Sequence, residues 1–175
     1  MKRVFILRHA KAEPGSLSTP DRDRALHERG REAAAKMGTY IRQKNYRADA
    51  IKCSAAQRTR ETCAIIRPFI GDTVPVEFRE DLYLAEAEDM LKQICTLDDD
   101  IGSVLIVAHN PGVAELALLL ADAPRDLARE ALHRNMREKF STCSFVVLEF
   151  DVALWAEISE GQGMLVDYKR PRDLN

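Results

Sequence analysis

Val4-Phe5-Ile6-Leu7-Arg8-His9 is a run of four apolar residues that leaves through an arginine and a histidine. Val104-Leu105-Ile106-Val107-Ala108-His109 repeats the arrangement much later in the chain. Short unbroken apolar runs of this kind read as strands buried on both faces, the habit of parallel sheets covered by helices. Two such strands far apart in sequence, with helical patterns between them, predict an α/β fold.

Outward from the first run, Ala10 to Leu26 carries Pro14, Gly15, Ser16, Ser18, Thr19 and Pro20. This is loop composition, and loops longer than about 12–15 residues tend to carry function. Glu28 to about Lys44 is helical in pattern, with Ala33, Met37, Tyr40 and Ile41 on one face. Ala48 to Cys53 reads as a second strand. Ser54-Ala55-Ala56-Gln57 then fits a capping box opening a helix over about Ala55 to Ile66, which should stop before Pro68. Val74 to Phe78 reads as a short strand and Glu86 to Leu97 as a helix. After Ser103 to Ala108, Asn110 and Pro111 fit an N-cap and a first helical residue, opening an apolar helix over Val113 to Leu120. Asp126 to Glu138 is charged and reads as helical or only partly ordered. Ser144 to Phe150 and Leu154 to Ile158 read as a late hairpin, and Asp167 to Asn175 as a loose charged tail. One domain over residues 1–175 is expected, with a mostly parallel central sheet flanked by helices on both faces.

Composition narrows the partners. The chain has 175 residues, 46% of them hydrophobic and 31% charged, which suits one globular core. A net charge of −2 gives no general nucleic-acid binder. No stretch approaches the roughly 18 apolar residues of a membrane span. The apolar run after Met1-Lys2-Arg3 is too short for a secretory signal. Cys53, Cys63, Cys95 and Cys143 include no Cys-x-x-Cys pair, so free thiols in a reducing cytoplasm are expected.

In open α/β sheets, ligands sit outside the carboxyl ends of the strands. His9 and His109 leave two buried strands at those ends, and Arg58 lies in the first turn of a helix that follows a third. Arg8, His9, Arg58 and His109 are therefore expected to converge. The combination suits a phosphoryl group: arginine grips its oxygens with a forked cation, and helix N-termini beyond Ser54 and Asn110 add N–H groups of the same sign. A neutral imidazole nitrogen is a competent nucleophile, and in-line phosphoryl transfer needs positioning and charge neutralisation above all. Arg60, two residues beyond Arg58, is about 200° around the helix and should point elsewhere.

Leu7-Arg8-His9-Ala10 resembles the R-H-G/A motif of the histidine phosphatase superfamily, also called phosphoglycerate mutase-like. Ser54 to Thr62 resembles its S-x-x-x-R-x-x-E-T segment, and Val107-Ala108-His109-Asn110 its V-x-H-x segment. The stretches Asp21 to Leu26, Glu28-Arg29-Gly30 and Leu82-Tyr83-Leu84-Ala85 are similar to the SixA-type phosphohistidine phosphatases. The resemblance implies a phosphorylated nucleophile at His9. It implies phosphate-holding roles for Arg8, Arg58 and His109, with Asn110 beside the substrate, and no metal or organic cofactor. The implied partner is a phosphorylated protein, such as a histidine phosphotransfer domain, or a small phosphorylated molecule.

One departure bears on the substrate. Many members of the superfamily carry a general-acid glutamate shortly after their third strand, where this chain has Leu84. Glu86 or Glu80 stands near enough in sequence to substitute, and Glu86 also fits a helix N-terminal carboxylate. A phosphoramidate needs less help in leaving than an alkyl phosphate, so a missing acid suits phosphohistidine. Other readings are a metabolite phosphatase of the same superfamily, a non-catalytic phosphate-binding module, and a metal hydrolase using His9 and His109. The last lacks a ligand cluster at metal spacing.

Overall fold

The computed structural model describes residues 1–174. Six strands form one sheet: β1 (Lys2–Arg8), β2 (Ala50–Ser54), β3 (Val76–Arg79), β4 (Ser103–Ala108), β5 (Phe145–Phe150) and β6 (Met164–Lys169). Their order is β3-β2-β4-β1-β5-β6. The first four are mutually parallel, whereas β5 runs antiparallel to β1 and β6 antiparallel to β5. Five helices cover the faces: α1 (Glu28–Gln43), α2 (Gln57–Ile70), α3 (Ala87–Cys95), α4 (Gly112–Leu120) and α5 (Leu127–Glu138).

Alternation along the strands divides the core. Phe5, Leu7, Leu105 and Val107 face α1 and α2, packing with Met37, Ile41 and Ile66. Val4, Ile6, Val104 and Ile106 face the other way, onto Met90, Leu116 and Met136 of α3, α4 and α5. β1 is therefore followed by a helix on one face and its neighbour β4 by a helix on the other. Their carboxyl ends diverge, opening the crevice in which such sheets bind ligands. Among the described residues no helix is long and apolar enough to cross a membrane.

Three stretches depart from the sequence reading. The helix after β2 starts at Gln57 and runs through Pro68 to Ile70. Proline removes one backbone bond near the end of the helix, while Ile66 and Ile70, both fully buried, hold the last turn to the core. Leu154 to Ile158 is a single 3-10 turn centred on Trp155–Glu157. Trp155 is fully buried with its Nε1 donating to the Ile101 carbonyl at 2.8 Å, and Ile158 returns to the same side three residues on. That is a helical spacing read as an alternating one. The partner of β5 is instead Met164–Lys169, whose last three residues lie in the stretch read as a loose tail. Asp167 masked it: this charge is buried in the strand because Tyr40 and Tyr46 both donate hydroxyls to its carboxylate, at 2.5 and 3.1 Å.

Candidate active site

β1 and β4 run in register, Arg8 opposite Ala108, and the His9 N–H donates to the Ala108 carbonyl at 3.1 Å. The two strand-end histidines are thereby brought side by side, their rings 5.2 Å apart. A cleft of about 460 Å³ opens over them, lined by Arg8, His9, Arg58, His109, Asn110 and Leu84, with Asp21 and Arg24 from the long loop. Arg8, His9, Arg58, His109 and Asn110 are thus together. Glu86 lies at the N-terminal boundary of α3, outside the cleft lining, and its side chain makes no capping hydrogen bond.

His9 is 8% exposed, and its Nδ1 meets the Ala10 carbonyl at 2.7 Å. A carbonyl only accepts, so Nδ1 carries the proton and the lone pair is on Nε2. Burial, assisted by the charges of Arg58, Arg8 and Arg24, pushes His9 down to about 4, against the opposing pull of the Ala10 bond. The ring is neutral at physiological pH.

His109 is 2% exposed and is pushed down to about 3, first by burial and then by its neighbours His9 and Arg58. Its Nε2 meets the Ser54 hydroxyl at 2.8 Å. That oxygen also accepts the Ala56 N–H at 3.4 Å, and His109 Nδ1 has no hydrogen-bond partner in the protein. Ser54 is therefore no partner in a capping box: Ala56 occupies the cap, and Gln57 donates to Glu61 instead. Neither does Asn110 cap α4, since its amide donates to the Phe140 carbonyl at 3.1 Å. Arg8 Nη1 donates to the same carbonyl at 2.8 Å, which fixes both side chains to the loop before β5.

The S-x-x-x-R-x-x-E-T stretch supplies more than Arg58. Thr62 Oγ1 accepts the Ala10 N–H at 3.0 Å and donates to the Arg58 carbonyl at 2.7 Å, tying the residue after His9 to α2. Glu61 accepts the Leu26 N–H at 3.2 Å and pairs with Arg31, anchoring the end of the long loop. Gly30 lets α1 approach: a Cβ there would stand 2.1 Å from the Lys11 carbonyl oxygen. Arg60 points away, donating to the Ala55 carbonyl and covering the Phe78 ring at 4.3 Å.

Sequence reasoning missed Asp21 as a site residue. Arg58 Nη1 donates to its main-chain carbonyl at 2.6 Å and Nη2 to its carboxylate at 3.1 Å. Tyr83 donates its hydroxyl to that carboxylate at 2.6 Å, and Arg24 Nε donates at 3.0 Å. Tyr83 foremost, with Arg58, holds the Asp21 carboxyl down at about 2, so it is ionised. The available signals were its position in a loop too long to be a plain connection and its place at the head of the Asp21–Leu26 stretch that resembles SixA-type phosphatases. Leu84, at the expected acid position, sits on the cleft rim, 54% exposed, with φ 52°. A leucine held in the left-handed region costs about 1–2 kcal/mol, and the neighbouring Ala85 is pressed against α4, where a Cβ on Gly112 would come within 2.0 Å of its carbonyl oxygen. Among the described residues no group of three or more His, Cys, Asp and Glu side chains is placed to hold a metal.

Comparison with known proteins agrees with this geometry. An uncharacterized protein of Mycobacterium tuberculosis strain H37Rv is 33% identical over 167 residues, covering 95% of this chain and all of the relative. A crystal structure assigned as the phosphohistidine phosphatase SixA of Agrobacterium tumefaciens superposes with a TM-score of 0.78 at 26% identity, over 97% of this chain and 98% of that one. A structure with the same assignment from Nakamurella multipartitia gives 0.80 at 26% identity, over 97% and 96%. The sequence profile of the histidine phosphatase superfamily (branch 1) matches residues 4–90, which carry Arg8, His9 and Arg58. By its sequence motifs, its sheet and these relatives, the chain belongs to the histidine phosphatase superfamily, with the phosphatase chemistry of that family.

Proposed function

We propose that this phosphatase hydrolyses phosphohistidine on a protein, through a phosphohistidine intermediate on its own His9, without metal or organic cofactor. The observation that carries this reading is the state of His9: neutral, nearly buried, and turned by the Ala10 carbonyl so that Nε2 holds the lone pair.

In the first step Nε2 of His9 attacks phosphorus and the substrate P–N bond breaks. The departing imidazole nitrogen takes a proton from solvent. In the second step water attacks the phosphorus on His9, the new P–N bond breaks, and phosphate leaves. Charge on the transferring group is met by Arg8, Arg58 and, with Ser54 donating to its Nε2, the Nδ1–H of His109, as electrostatic catalysis requires. The buried unpartnered polar atoms support this reading. Of eight among the described residues, Arg8 Nε, Arg58 Nε and His109 Nδ1 are three, and all belong to residues lining this cleft.

Two observations support a phosphohistidine protein as substrate. The cleft carries Leu84 where an acid would assist an alkoxide leaving group, and neither Glu86 nor Asp21 fills that role: Glu86 is outside the lining, and Asp21 is held at about 2 and so is ionised. The likeness to structures assigned as SixA points the same way. The protein partner would be a phosphorylated domain of the phosphotransfer kind, in the cytoplasm.

The test is kcat/KM across phosphohistidine protein, phosphoserine peptide, sugar phosphate and p-nitrophenyl phosphate, with excess chelator throughout. Phosphohistidine protein is expected to lead, unaffected by the chelator. A sugar phosphate in the lead would return the site to a metabolite, and loss of activity restored by a divalent ion would remove the metal-free mechanism. Leu84→Glu should raise turnover of alkyl phosphates by about tenfold or more, the low side of general-acid effects, and change phosphohistidine turnover little.

A further inference from the structure

We propose that a basic groove opening from the catalytic cleft docks an acidic, partly apolar segment of the phosphorylated protein. The groove, of about 240 Å³, shares Lys11 with the cleft and runs away from it between the start of α1, the loop before β5 and the residues after β6. Its rim carries Arg29, Lys139 and Arg172, all exposed, and its floor is Ala33 and Pro171, both half-buried. No acidic side chain is in its lining. Among the described residues Lys11, Arg29 and Lys139 have no ion-pair partner, and Arg172 approaches Asp173 only at 3.7 Å, a carboxylate bound more closely by Arg170 at 2.8 Å. In a chain of net charge −2 this is an uncompensated positive strip beside the active site.

The occupant follows from the contrast with the cleft. The groove has none of the buried unpartnered donors that suit a desolvated phosphate. Its cations are spread along a rim and stay hydrated, and between them lies apolar floor. That arrangement fits several solvated carboxylates flanking a small apolar side chain, which is a protein segment. Exposed charges of this kind contribute little binding energy each, but together they steer encounter and fix register, and they are screened by salt. The segment would lie beside the phosphorylated side chain it delivers to His9. The identity of the segment's owner rests on the phosphohistidine-protein reading; the groove's preference for acidic segments does not.

The experiment compares the wild type with the triple variant Arg29→Glu, Lys139→Glu, Arg172→Glu, whose side chains make no hydrogen bond that holds the fold. Turnover is measured on a phosphohistidine-bearing phosphotransfer domain and on p-nitrophenyl phosphate, at salt from about 50 to about 300 mM. Binding of an amphipathic glutamate- and leucine-rich helical peptide is measured alongside. The variant should lose about tenfold or more in kcat/KM on the protein, carried by KM, and lose its salt dependence. It should keep p-nitrophenyl phosphate turnover within about twofold and should not bind the peptide. Equal protein turnover in the two forms at every salt, or equal peptide binding, overturns the docking site while leaving the phosphohistidine reading intact. A wild type that binds the peptide through these residues yet ignores phosphohistidine protein supports the groove and removes the substrate reading. A wild type that binds no such peptide also overturns the groove.

Discussion

The floor of the cleft and its rim are built by different physics. The floor is His9 and His109, each carried on the end of a fully buried strand and locked by one short bond, to Ala10 and to Ser54. The rim is the 10–26 loop, closed on itself by a short backbone pairing of Ala12 with Leu26 and tied to its neighbours by side chains: Asp21 to Arg58 and Tyr83, Arg22 to Glu80, Glu61 to Leu26. Backbone ladders and apolar packing fix the floor to within a rotamer. Half-exposed carboxylates fix the rim, and an exposed single pair such as Arg22–Glu80 is worth about 0–1 kcal/mol. The floor accordingly suits the reacting atoms, and the rim suits a part that can exchange partners.

The largest test of this division is on the floor. His9→Ala should lower kcat by roughly 10⁴-fold or more, the scale of removing a nucleophile, with the fold retained by circular dichroism. Rapid quench of the wild type should trap acid-labile, alkali-stable phosphate on His9. An active His9→Ala enzyme would end the proposal.

Next comes the boundary between floor and rim. Arg58→Ala should cost about 2–4 kcal/mol in the transition state, roughly 10²–10³-fold in kcat/KM. Arg60→Ala, whose side chain covers Phe78 outside the cleft, should cost less than about tenfold. Equal losses would mean that Arg58 serves the helix and not the phosphate.

The smallest effect is on stability. In the fold His9 and His109 bind protons only near about 4 and about 3, whereas the unfolded chain binds them near the ordinary value of 6.5. Between those values the unfolded state holds more protons, so stability is full above about 6.5 and falls as pH drops through 4 toward 3. Urea midpoints from pH 7 down to about pH 4.5 should decline, and the double variant His9→Asn, His109→Asn should flatten that decline. An unchanged slope would remove the two histidines as its source.

How much of this was legible in the sequence follows the same division. Val4–Leu7 and Val104–Val107 announce buried strands because continuous apolarity is a local signal, and the histidines at their ends needed only the rule of strand carboxyl ends. Arg58 was within reach for a similar reason, one helical turn beyond a strand. The rim was not legible. Asp21 meets Arg58 and Tyr83 across 37 and 62 residues, and no periodicity records such a pairing. Ser54 looked like a cap because Gln57 follows it, yet its hydroxyl is committed to His109, which only the β2–β4 pairing brings near. Asp167 hid a strand for the converse reason, since its charge is answered by tyrosines on and just after α1.

Asp21 makes the resting enzyme its own first anion. Both terminal nitrogens of Arg58 are occupied before any substrate arrives, one by the Asp21 carbonyl and one by its carboxylate. On the proposed function, an arriving phosphate would compete with Asp21 for this guanidinium, exchanging one negative group for another. Exchange moderates the grip on every anion alike, the released phosphate included, because each departure is met by a carboxylate waiting within the same loop. A phosphatase must let go of what it makes, and on this reading the means of letting go is tethered in the loop that follows the nucleophile.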